Sequence, residues 1–153
     1  MVTFNVSDTT GDVLQFSDFV DGYLSQSPVA AGVSFDLGIG TNGSFKFPVT
    51  AVSASLSYIE FEDSTRFGTG ADALYAKLTK ERQQAVTYAR SLVTRMEQGT
   101  LASEIATGLA SLGSDEPGVK TAKMILRSVA EQKGVAALSQ EAHRIAAIPL
   151  PAQ

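Results

Sequence analysis

Phe67-Gly68-Thr69-Gly70-Ala71-Asp72-Ala73-Leu74 is where the chain changes its hydrophobic period. Upstream, apolar residues recur at every second position, as in Val33, Phe35, Leu37 and Ile39. Downstream they recur every three to four, as in Leu74, Leu78, Ala85, Ala89, Leu92 and Met96. Period two belongs to half-buried strands, and period 3.6 to helices with one buried stripe. Strands first and helices afterwards predict an α+β fold. Antiparallel sheet and hairpins with one short helix are expected over about residues 2–62, followed by about four helices. The 153 residues fit a single domain. Within it lie a strand-rich acidic part (1–68), a helical part (69–148) and an extended tail (149–153).

Working back from the junction, Ile59 and Phe61 carry apolar side chains on odd numbers, whereas Val52, Ala54, Leu56 and Tyr58 carry them on even ones. Phe45, Phe47 and Val49 are odd again. A one-residue slip exchanges the two faces of a strand, so the switch between Val49 and Val52 requires a bulge or a break. Asn42-Gly43 predicts a hairpin turn between strands at 32–39 and 44–49. Val2, Phe4 and Val6 predict a first strand over 2–6, ended by Ser7-Asp8-Thr9-Thr10-Gly11-Asp12. Ser17 is read as the N-cap of a short helix carrying Phe19, Val20, Tyr23 and Leu24.

Working forward, Thr69 caps a long helix in this reading, with Asp72 in a capping-box arrangement and Gly99 as its stop. Lys80-Glu81-Arg82 interrupts the apolar stripe and leaves a break at Thr79 as an alternative. A second helix is expected with Leu101, Ile105, Leu109 and Leu112 inward and Gly113 as its end. A third starts at Asp115 and Pro117 and closes at Gly134, and a fourth runs from Val135 to Ile148 before Pro149.

Residues 1–68 hold eight acids against two bases, and residues 69–153 eight acids against ten bases. The net charge of −4 and the scatter of bases over a helical surface speak against a nucleic-acid partner. Neither a signal peptide nor an apolar run able to span a bilayer is expected, which leaves the compartment open. With no cysteine and one histidine, no metal or cofactor is expected.

Gly38-Ile39-Gly40-Thr41-Asn42-Gly43 matches a phosphate-binding G-x-G-x-x-G, but Ser44-Phe45-Lys46-Phe47 continues as strand where a helix is required. Asp8-Thr9-Thr10-Gly11 is one threonine longer than the aspartic-protease loop, so it is read as a turn. Glu60, Glu62 and Asp63 form the densest carboxylate cluster, with Arg66 near enough to pair. His143, flanked by Glu141 and Arg144, reads as a boundary residue of the fourth helix. An enzyme built on Glu60, Glu62 and His143 would need these side chains to converge on one pocket.

The segments Leu56-Ser57-Tyr58-Ile59-Glu60-Phe61 and Ala73-Leu74-Tyr75-Ala76-Lys77-Leu78 resemble stretches of secreted haemophores, where the corresponding tyrosine ligates haem. Asp72 stands where that family has a histidine, and its loop histidine has no counterpart here. Tyr58 is therefore read as core or interface. The leading expectation is a non-enzymatic protein that associates with itself, or with another protein, as in a virion or secretion-type particle. Its contacts are expected at the sheet edge around 44–61 and at the tail, through Phe45, Phe47, Tyr58, Phe61 and Leu150. The alternative is a binding protein for a small apolar ligand such as haem or lipid, held between sheet and helices.

Overall fold

The computed structural model describes residues 2–11, 13–18, 24, 49–61, 65–111 and 113–150. Among the described residues five strands precede four helices, giving the α+β class expected from the period change. The chain divides into two compact units, Met1–Leu74 and Tyr75–Gln153. The division falls in the first turn of the first helix, just beyond the period change.

In the first unit, β1 (Val2–Asp8), β2 (Val13–Asp18) and β3 (Val49–Leu56) form an antiparallel sheet in the order β2-β1-β3. Val6 pairs with Val52 and lies on the apolar face, where it is buried. The other face is polar: Asn5 and Gln15 sit opposite each other, and the Gln15 amide donates to Asn5 Oδ1 at 3.1 Å. The expected irregularity is a β-bulge. Ser7 pairs with Ala51 and Asp8 with Val49, so Thr50 is the extra residue, its hydroxyl donating to the Ser7 carbonyl at 3.2 Å. That one inserted residue returns position 49 to the register parity of position 52. The second parity flip has a different cause: the chain leaves this sheet at Ser57. It then forms a separate two-stranded ribbon, β4 (Ile59–Glu60) with β5 (Arg66–Phe67). Gly68 follows at φ 126°, where a Cβ would collide with the Ser57 carbonyl, so only glycine lets the ribbon return against that corner.

Ser17 is not a helix cap. It lies inside β2 opposite Thr3, because the ladder with β1 supplies backbone partners that a single capping bond cannot match. The rest of the expected short helix, the strands at 32–39 and 44–48, the Asn42-Gly43 turn and the glycine-rich motif lie outside the described residues. Leu24 is described and is buried.

In the second unit, α1 (Ala71–Glu97, its first turn in unit one) is continuous through Thr79. Its buried stripe is Leu78, Arg82, Ala85, Val86, Ala89 and Leu92. The helix starts two residues after Thr69, leaving Gly70 at the N-cap position, and Asp72 accepts a bond from Arg66 Nη1 at 2.8 Å. At the other end Thr100 N–H donates to the Arg95 carbonyl at 2.9 Å and Gly99 N–H to that of Met96 at 3.0 Å, a Schellman closure. α2 (Ala102–Gly108) is shorter than expected: Ile105 and Leu109 are buried, while Leu101 stands exposed at its N-cap. α3 (Pro117–Lys133) and α4 (Val135–Ala146) are joined by Gly134 alone. Ala122 and Leu126 of α3, with Leu138, Ala142 and Ile145 of α4, complete the core. Gly118 lets α3 approach α1 closely: a Cβ there would collide with the Glu81 carbonyl, and its N–H donates to Gln84 Oε1 at 3.1 Å.

Candidate interaction surface

Among the described residues β3 is paired on one side only, and every side chain from Thr50 to Leu56 is exposed. Val52 keeps 59% of its surface and Leu56 keeps 50%, although both lie on the face whose neighbour Val6 keeps 3%. No charged residue occurs between Val49 and Ile59, and neither glycine nor proline interrupts that stretch. Among the described residues the stretch Ala51–Leu56 offers backbone groups on its outer side beside apolar side chains, which favours pairing with another strand. Hydroxyls line the opposite face, where Thr3 and Ser57 share a bond of 2.5 Å and Ser55 reaches the Thr3 carbonyl at 3.5 Å.

The residues expected to form the contact are distributed unevenly. Phe61 is half-exposed at the ribbon, close in sequence to the exposed Phe67, and its N–H donates to the Thr65 carbonyl at 2.9 Å. Tyr58 is buried, and its hydroxyl donates to Glu60 Oε2 at 3.1 Å, which suits a core role and leaves little of the ring for a partner. Leu150 is half-buried in the helical unit. Phe45, Phe47, Glu62 and Asp63 lie outside the described residues. Of the carboxylate cluster, Glu60 is thus described as the half-buried acceptor of Tyr58. His143 is exposed on α4 with Nδ1 2.8 Å from the Ser139 carbonyl, so that nitrogen carries the proton and donates. Among the described residues no three acidic or histidine side chains gather as metal ligands, and no helix is long and apolar enough to cross a membrane.

Two buried charges escaped the sequence reading. Arg82 sits on the buried stripe of α1, and Glu141 on that of α4, where Arg144 binds it through Nε at 3.1 Å and Nη2 at 2.7 Å. Their spacing carried the signal, since Leu78-Arg82-Ala85-Ala89 and Leu138-Glu141-Ala142-Ile145 both put a charge in register with the apolar stripe. A second feature is an open groove of about 560 Å³ along α1 and the start of α3, walled by Lys80, Gln84, Tyr88, Glu116 and Val119. Burial pushes the Tyr88 hydroxyl above its ordinary value of 10.0, with Lys123 opposing the rise and Asp115 adding to it. Lys123 Nζ lies 5.8 Å from the Tyr88 ring centre, 2.6 Å from Asp115 and 2.8 Å from the Ser111 carbonyl. These contacts account for the lysine as a clamp on the chain leading into α3.

No protein-family model, curated protein or solved structure matches the chain.

Proposed function

We propose that this protein works by assembly, associating with copies of itself through the side of β3 that carries no strand among the described residues. The observation that carries the reading is β3, an uncharged edge strand exposed on both faces and apolar on the one it shares with a buried neighbour. Magnitudes define how strong the contact is. Burying the exposed parts of Val52 and Leu56 on two copies contributes about 4 kcal/mol. Association entropy costs about 4–15 kcal/mol. Ladder hydrogen bonds, at about 1 kcal/mol each, therefore have to supply the balance, and the contact is strand addition rather than patch-to-patch adhesion. Placing a charge on the edge opposes it directly. Val52→Lys is expected to reduce the particle mass in light scattering to 16.1 kDa with an unchanged far-UV CD spectrum. A variant that keeps the wild-type mass rules out this edge.

A further inference from the structure

Building on the reading of β3 as a self-association edge, we propose that two copies pair β3 against β3, antiparallel about a two-fold axis at Ala54. A two-fold contact requires a surface complementary to itself. The strand Ala51-Val52-Ser53-Ala54-Ser55-Leu56-Ser57 is close to a palindrome in its chemistry. Turned about Ala54, it sets Val52 opposite Leu56, Ser53 opposite Ser55 and Ala51 opposite Ser57. Apolar side chains meet apolar ones on one face, and small or hydroxyl-bearing ones meet on the other. Moving the axis to Ser53 sets Leu56 opposite Thr50. Moving it to Ser55 sets Val52 opposite Tyr58, which is already buried and bonded to Glu60. No charge enters the ladder in the Ala54 register, so the acidic character of the first unit places no like charges face to face along it. The product is one continuous sheet in the order β2-β1-β3-β3-β1-β2, with the exposed Val52 and Leu56 of both copies side by side at its centre. This match of the strand to its own reverse selects a second copy over an unrelated strand.

The chain has no cysteine, so single thiols can be placed without background. Only residue 54 lies opposite itself, with Cβ atoms about 4.5–5.5 Å apart, near disulfide reach. Residue 52 lies about 13 Å from its own copy. Ala54→Cys, Val52→Cys and Leu56→Cys are to be oxidised with copper phenanthroline and run on non-reducing gels, beside light scattering of the unoxidised wild type. Ala54→Cys alone is expected to convert to a species of twice 16.1 kDa. Val52→Cys and Leu56→Cys are expected to stay single when separate and to cross-link when mixed. A wild-type multimer with cross-links at other positions, or none, overturns the register while leaving self-association standing. A wild type of monomeric mass overturns both.

Discussion

Gly118 shows how a single missing side chain fixes the distance between two helices. Its backbone conformation is ordinary, so the constraint is steric: α1 occupies the space a methyl group would need. Gly118→Ala should cost about 1–3 kcal/mol of unfolding free energy, read from urea denaturation. Tyr88 provides a test of a different kind. Its folded pKa is raised, so above pH 10.0 the unfolded chain gives up that proton before the folded one does. The unfolded state then binds fewer protons, and stability falls as pH rises through that window. Tyr88→Phe should flatten the decline above pH 10.0 and leave the stability profile below it unchanged in slope, as measured by denaturation at stepped pH.

At the scale of elements, the bulge at Thr50 was legible because parity is a local property. Val49 and Val52 cannot share a face in regular strand, and one extra residue is the cheapest remedy. Deleting Thr50 therefore leaves both flanks of β3 in register and should move the melting temperature by less than about 4 °C. Deleting Ser53 exchanges the faces on one side of the deletion and should lower it by much more, with thermal CD as the readout. The helices were equally legible, since their stripes and glycine stops lie within each element: Gly99 and Gly134 fall where the periodic pattern ends. Other features depended on distant partners. Ser17 has the chemistry of a cap, and only its pairing with Thr3 reveals a strand. Tyr58 and Phe61 look alike in sequence, yet the fold buries one and exposes the other. The exposure of Val52 and Leu56 could not be read from their hydrophobicity, which by itself signals burial.

At the scale of the whole chain, charge separates two ways of assembling. The unit Met1–Leu74 holds nine acids and two bases, and Tyr75–Gln153 seven acids and ten bases. Docking one copy's first unit on another copy's second would join opposite charges and weaken with salt. Pairing β3 with β3 brings two acidic units together, so screening their repulsion should tighten the contact. Light scattering coupled to size exclusion tests this most directly, at two protein concentrations and in about 0.02 M and about 0.3 M salt. The account predicts a mass near twice 16.1 kDa that rises toward that value with concentration and with salt. A mass of 16.1 kDa under all four conditions would contradict it.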